Sequence, residues 1–396
     1  MDPDHDDVLA GAHLAVDGPA LEFGDGLAED VATHLVDRGW ESALVVSDAG
    51  VAAAGVLGAV TDGLPIETTC YEATTEPSTA DFADLPAGPF DGVLAVGGGS
   101  VLDTAKVAAL LLAHGGDPSD YLGEGAVPGP VEPLVAVPTT SGTGSQATQT
   151  AVLTHEGVKR GISDEALRPD LAVVDPALTV GLPPAVTATA GFDAFVHALE
   201  SLTARDYRWV PARPITYQGA NPVSRVLSRR ALSFVAPALE RAVHDGDDLD
   251  ARRRMSLGAH LAGQAFSVAG LGAVHALASA VGGMTGRPHG ACLAAAIRPG
   301  LEYNRPVRRE DYAAIARSLG VTADPDPDGA CDALVDECVR LADAIGLPTD
   351  LTGLGLKRED VDDIVENVLV QDRRLKTNPR RVDVDLADVL EAAVNW

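Results

Sequence analysis

The chain has 396 residues, of which 46% are hydrophobic and 22% charged. That is long enough for two domains of roughly 100–200 residues, each with its own core, and it excludes a disordered chain or a small staple-dependent scaffold. With 29 basic against 58 acidic side chains the net charge is −29, which makes nucleic acid and anionic membranes poor partners.

The N-terminus, MDPDHDD, is acidic where a signal peptide is basic, and no apolar run reaches the roughly 18 residues of a membrane span. A soluble, cytoplasmic protein is expected. Short β-branched runs at residues 43–47, 92–96, 134–137 and 171–174 read as buried strands and alternate with helical stretches. This is the pattern of an α/β domain with a parallel sheet, expected over residues 1–183. Asp48, directly after the strand SALVVS, can accept hydrogen bonds from an adenosine ribose and repel a 2′-phosphate, favouring NAD over NADP; it can equally be a turn aspartate.

The strand at 92–96 runs into Gly97-Gly98-Gly99-Ser100 and then a helical pattern. Strand, glycines and helix in that order lay backbone N–H groups against a pyrophosphate, although three glycines also make a tight turn. Ser100 and Asp103 have capping-box spacing and predict the helix start. A second small-residue loop, Pro138-Thr139-Thr140-Ser141-Gly142-Thr143-Gly144-Ser145, follows the next strand. Two such loops at one sheet edge suggest a dinucleotide.

After Pro183-Pro184 the texture changes to long Ala/Leu/Arg/Asp segments such as 225–244 and 249–267, so an all-helical second domain is expected over 184–396. Asp193 and His197 lie four apart on a helical pattern and share a face. His275 opens a later helix, and His289 follows Pro288 beyond a glycine-rich bend. One carboxylate and three imidazoles suit Fe²⁺, Zn²⁺ or another divalent metal. A single buried histidine is more often structural, and those at 5, 13, 34, 114, 155, 244 and 260 are read so. The stretch TADPDPDG at 322–329 reads as an exposed loop. Cys70, Cys292, Cys331 and Cys338 are scattered without a CxxC pair and predict buried thiols rather than disulfides.

Taken together, FGDG at 23–26, GGGSVLDTAK at 97–106, VPTTSGTGS at 137–145, LRPDLAVVDP at 167–176, GFDAFVHALES at 191–201 and the His275/His289 segment resemble the iron-containing (group III) alcohol dehydrogenase family. The likeness continues through Tyr303-Asn304, YAAIARSLG at 312–320 and Asn378-Pro379-Arg380. It implies a dinucleotide-binding Rossmann-like domain, an all-α domain of the dehydroquinate synthase-like fold, and a metal and nicotinamide in the cleft between them. By the same resemblance Asp193, His197, His275 and His289 are metal ligands that serve catalysis through the ion. Gly97, Gly98, Gly99, Ser100, Asp103, Thr139, Thr140, Thr143 and Lys159 fall on cofactor positions, with Asp48 disfavouring NADP. Ser279, Gln146 and Glu76 depart from residues common in the family.

The reaction implied is hydride transfer between an alcohol or hydroxyacid and NAD(P), in a homo-oligomer. Residues 213–224 resemble the insertion of the hydroxyacid-oxoacid transhydrogenase branch, where Arg208 or Arg213 can pair with a substrate carboxylate. Dehydroquinate synthase-like lyases and glycerol-1-phosphate dehydrogenases share the architecture and are further alternatives.

Only four lysines, at 106, 159, 357 and 376, stand among the basic residues. This composition resembles that of proteins from salt-accumulating cytoplasm. Self-repulsion acts over about 10 Å at 0.1 M ionic strength and about 3 Å at 1 M. The thermal midpoint, measured in a KCl series with metal saturating, is therefore expected to rise with salt; a midpoint highest without KCl overturns the high-salt reading.

Overall fold

The computed structural model describes residues 16–210 and 216–394; the MDPDHDD segment and Arg213 lie outside them. Six parallel strands form the principal sheet: β1 (Ala20–Phe23), β2 (Ser42–Ser47), β3 (Glu67–Glu72), β4 (Val93–Gly97), β6 (Leu134–Pro138) and β9 (Leu171–Val174), in the order β1-β9-β6-β4-β2-β3. Three of the four interior strands, β4, β6 and β9, are buried along their whole length because helices cover both faces. This is why they read as uninterrupted apolar runs. Strands β5 (Gly123–Glu124), β7 (Thr150–His155) and β8 (Val158–Ser163) make a small second sheet, in which β7 and β8 form an antiparallel hairpin. Edge strands β1 and β3 and the hairpin were not anticipated. β1 and β3 are largely exposed, so their sequences lack the apolar signature.

Short helices α1 (Val31–Asp37), α2 (Ala49–Ala53) and α3 (Val56–Thr61) and the longer α4 (Gly99–His114) accompany the sheet. From Pro184 the chain is helical: α5 (Pro184–Thr203), α6 (Pro222–His244), α7 (Leu249–Ala269), α8 (Ala273–Thr285), α9 (His289–Ser318), α10 (Pro327–Ala344), α11 (Val361–Leu369), α12 (Asp372–Leu375) and α13 (Leu386–Ala393). Asn221 caps α6 by accepting from the N–H groups of Val223 and Ser224, a use of its side chain that its place before Pro222 favours. The acidic 322–329 stretch is a loop only to Asp326, which caps α10; Pro327 then starts the helix. One apolar core, built by α5 to α11 and α13, fills the helical region, and two others cover the faces of the principal sheet. Among the described residues no single helix is long and apolar enough to cross a membrane.

The sequence expectation for the start of α4 needs correcting. Gly98, not Ser100, is the N-cap, and no side chain caps the helix. Ser100 Oγ donates instead to the Thr75 carbonyl at 2.5 Å. Asp103 turns inward, where Ser145 Oγ donates to Oδ1 at 2.6 Å and the Val152 N–H to Oδ2 at 3.0 Å.

Lys106, one turn further, is fully buried and Nζ donates to Ser145 O and Oγ (2.8 Å each), Thr148 Oγ1 (3.0 Å) and Thr150 O (2.8 Å), with Asp103 at 3.9 Å. Burial pushes its ammonium down to about 8, and the Asp103 charge opposes that. This buried hub ties α4 to the second small-residue loop and to β7. Lys106→Met leaves the Asp103 carboxylate buried without its cation and is expected to cost about 3–5 kcal/mol, measured as a lower denaturant midpoint for the apoprotein.

Candidate metal and dinucleotide site

The parallel pairing of β4 with β6 sets Gly97 opposite Pro138, so the two small-residue loops leave the sheet side by side at its carboxyl edge. The Thr139 N–H donates to Gly97 O at 3.0 Å. The loops then touch: a Cβ at Gly99 would lie 2.6 Å from Thr143 Cγ2, and one at Gly98 3.3 Å from Thr140 Cγ2. Glycine is required for that approach, and it leaves the backbone N–H groups at the α4 N-terminus open, with no side chain capping them. An uncapped helix terminus after a parallel strand suits a pyrophosphate.

The second loop also packs on the helical region. A Cβ at Gly142 would stand 2.7 Å from Ala190 O on α5. Gly144, at φ +64°, approaches the Gly263 Cα of α7, to which its own Cβ would come within 2.7 Å. The same segment thus borders the sheet edge and the helix that carries Asp193. Lys159 on β8 pairs with Glu76 at 3.3 Å and remains exposed, while its charge reaches His289. Asp48 caps α2 by accepting the Val51 N–H at 2.9 Å. Asp103, as described, faces inward to Lys106 rather than to the loops. Gln146 is buried below the second loop, and Ser279 is half-buried on α8.

Asp193, His197 and Glu200 fall at i, i+4 and i+7 of α5 and therefore on one face. Three imidazoles converge on a single oxygen there: His197 Nε2 and His275 Nε2 each stand 3.4 Å from Asp193 Oδ1, and His289 Nε2 stands 3.9 Å from it. One ligand atom each from Asp193, His275 and His289 lie within 4.8 Å of one another. The His197 ring stacks on His275 at 4.7 Å and on Phe266 at 4.1 Å, and His197 Nδ1 is buried without a partner.

Desolvation pushes His197 down to about 3 and His289 to about 4, so both are uncharged near neutrality. Burial opposes the Asp193 charge, but the neighbouring imidazoles outweigh it and hold the carboxyl below its ordinary range. A carboxylate beside three imidazoles, two of them kept uncharged by burial, offers the oxygen and nitrogen donors that suit a divalent transition metal.

Glu200 is the residue that spacing alone did not single out. Its carboxylate accepts from the backbone N–H groups of Gly272 (3.2 Å), Val274 (2.8 Å) and His275 (3.3 Å), and from His275 Nδ1 at 2.7 Å. The bond to Nδ1 orients the ring with Nε2 toward Asp193, and although burial lowers the imidazole, its bonds to Asp193 and Glu200 outweigh that and raise it above its ordinary value. The peptide GFDAFVHALE displays Glu200 one turn beyond His197, but its partners lie on another helix.

The remaining described histidines stay away from this cluster. His114, His155 and His244 bond Pro130 O, Thr79 Oγ1 and Ala344 O, and His260 is fully buried in α7. His5 and His13 lie outside the described residues. Of the four cysteines, Cys292, Cys331 and Cys338 are buried free thiols, whereas Cys70 is exposed on edge strand β3.

Residues 19–176 match the family model of the iron-containing alcohol dehydrogenases, and residues 187–394 that of the C-terminal region of the Fe-containing alcohol dehydrogenase family. The NAD-dependent methanol dehydrogenase of Bacillus methanolicus is 32% identical over 389 residues, 95% of this chain and 98% of that one. The mitochondrial hydroxyacid-oxoacid transhydrogenase of Bos taurus is also 32% identical, over 94% of this chain and 88% of its own. The crystal structure of a 1,3-propanediol oxidoreductase superposes with a TM-score of 0.89 at 30% identity, covering 96% of this chain and all of that one (100%).

Glu200→Gln puts an amide N–H or a weaker acceptor where His275 Nδ1–H now donates and relaxes the tautomer. Metal affinity, measured by competition with a chelator, is expected to fall about 10–100-fold with the fold retained; unchanged affinity would show that Glu200 only caps α8.

Proposed function

The chain belongs to the iron-containing alcohol dehydrogenase family, and we propose that Asp193, His197, His275 and His289 hold its divalent cation while the loops at 97–100 and 138–145 hold its dinucleotide. It is an oxidoreductase that moves hydride between an alcohol and NAD and uses a divalent metal. When bound, the metal supplies Lewis-acid polarisation of the substrate oxygen, and the nicotinamide supplies the hydride acceptor or donor. The observation that carries the ligand assignment is the approach of three imidazole Nε2 atoms to one Asp193 oxygen.

The protein's own groups do the positioning. Glu200 orients His275, and the Phe266 face holds His197 in plane. Gly98 and Gly99 keep the α4 N–H groups open to phosphate, with Thr139, Thr140 and Thr143 opposite and Lys159 at the mouth of the site. We place Asp48 at the adenosine ribose, where a carboxylate repels a 2′-phosphate and favours NAD over NADP.

Residues 1–183 then form the dinucleotide-binding domain and 184–396 the metal and substrate domain. The protein is read as a cytoplasmic homo-oligomer adapted to high salt, with a small alcohol or hydroxyacid as its only other partner. A second reading, transfer of hydride between a hydroxyacid and an oxoacid with NAD retained, is supported by the bovine relative. It is also supported by the likeness of residues 213–224 to the insertion of that branch.

The test is elemental analysis of the purified protein together with an NAD-reduction screen over alcohols and hydroxyacids at high salt. The expected result is a bound divalent metal and NAD reduction, both lost in His275→Ala without unfolding. Full activity with unchanged metal content in that variant overturns the ligand assignment.

A further inference from the structure

The segment that carries α12 is tied over the first turn of α8, the turn that holds His275. Gln371 Nε2 donates to the Ala276 carbonyl at 2.9 Å, Thr377 Oγ1 to the Leu271 carbonyl at 2.7 Å, and the Ala273 N–H to Asn378 Oδ1 at 2.8 Å. Three cations lie between these anchors. Arg373 and Lys376 share Glu124, at 3.7 and 3.3 Å, and the Arg373 guanidinium also lies 4.7 Å over the Tyr217 ring and bonds Thr150 Oγ1 at 2.9 Å.

Arg374 differs in its charge partner: its Nη1 donates to Gln371 Oε1 at 3.0 Å, its Nε, like that of Arg373, is buried without a hydrogen bond, and among the described residues no carboxylate stands within ion-pair distance of it. It is nevertheless close enough to the cluster for its charge to bear on His289, and for Asp193 and Glu200 to bear on it.

A half-buried guanidinium with a buried, unpaired Nε and no carboxylate in direct contact among the described residues is an arrangement that an anion completes. The phosphates of the dinucleotide have their own cradle at the carboxyl edge of the sheet, on the other wall of the cleft. We propose that Arg374 anchors a carboxylate of the substrate, so that the alcohols this enzyme favours are hydroxycarboxylates, bound with the hydroxyl at the histidine cluster and the carboxylate on the guanidinium. The proposal rests on the oxidoreductase reading above and makes Arg374 its specificity determinant. The arginines considered from sequence are less suited: Arg208 is 41% exposed and bonds Asp206 at 2.8 Å, and Arg213 lies outside the described residues.

Arg374→Gln and Arg374→Lys are compared with the wild-type holoenzyme on 4-hydroxybutyrate and on 1-butanol, which differ in the terminal carboxylate. Succinate is tested as a non-reacting probe by its effect on the thermal midpoint, and NAD affinity is measured by fluorescence titration. Loss of a hydrogen-bonded charge partner predicts a fall in kcat/KM for the hydroxyacid on the order of 10–100-fold, carried by KM. The 1-butanol value and the NAD affinity are expected to change less than about threefold, within the scatter of a single weak contact. Succinate is expected to stabilise the wild type but not Arg374→Gln, and Arg374→Lys should recover part of each effect.

An equal loss on both substrates, or a loss of NAD affinity matching that on the hydroxyacid, overturns the proposal in favour of a structural or phosphate-binding role. Unchanged discrimination with normal 1-butanol oxidation overturns it while leaving the oxidoreductase reading intact. If no alcohol is oxidised, that reading fails, and the succinate arm still decides whether Arg374 binds a carboxylate.

Discussion

The buried carboxylate of Glu200 is the interaction on which the site depends. Asp193 and the three imidazoles come from three helices, and nothing in the local structure of α5 determines where α8 begins. Glu200 does: it accepts two neighbouring N–H groups of the α8 start, the N–H of His275 and the ring of His275 together. Such a carboxylate is affordable in the interior because each oxygen has donors, and the positive end of α8 adds to them. In consequence the Nε2 of His275 is aimed before any ion arrives. Around the Asp193 carboxylate, desolvation keeps His197 and His289 uncharged, and their nitrogens are thereby free to serve a divalent cation.

The sheet side is organised by an opposite charge in the same manner. Lys106 draws the end of the second loop, Ser145 and Thr148, onto α4, while Asp103 accepts from the loop and from β7. On each side buried polar groups bond the backbone of a neighbouring segment, Glu200 in the helical region and Lys106 with Asp103 beside the sheet. Loop 138–145 joins the halves, because Gly142 meets Ala190 of α5 only three residues before Asp193. This short path holds the sheet-edge loop and the histidine cluster at a fixed separation.

Much of this was legible in the sequence. β4, β6 and β9 are covered on both faces and so appear as bare apolar runs, and the glycine and threonine loops follow two of them directly. The Asp193/His197 pair is displayed by helical spacing, and His275 and His289 by their Gly/Ala-rich setting. What the sequence concealed has a common cause. β1 and β3 are exposed edges without an apolar period, and the Ser100/Asp103 pair mimics a cap because the box pattern does not show that Gly98 has already begun the helix. Glu200 acts on another helix, and Arg374 sits on a single four-residue turn whose neighbours are set by tertiary contacts. Local patterns report local partners, and the contacts that place these groups come mainly from distant segments.

The backbone contact between Gly144 and Gly263 bears on how such a site can change over generations. A Cβ on either residue would come within 2.7 Å of main-chain atoms of the other, so no rotamer change can make room. Both positions are closed to drift, and the tip of the loop cannot be used to adjust grip on the dinucleotide. Variation has to enter through the threonines beside it, while the backbone contact that joins the two regions stays frozen.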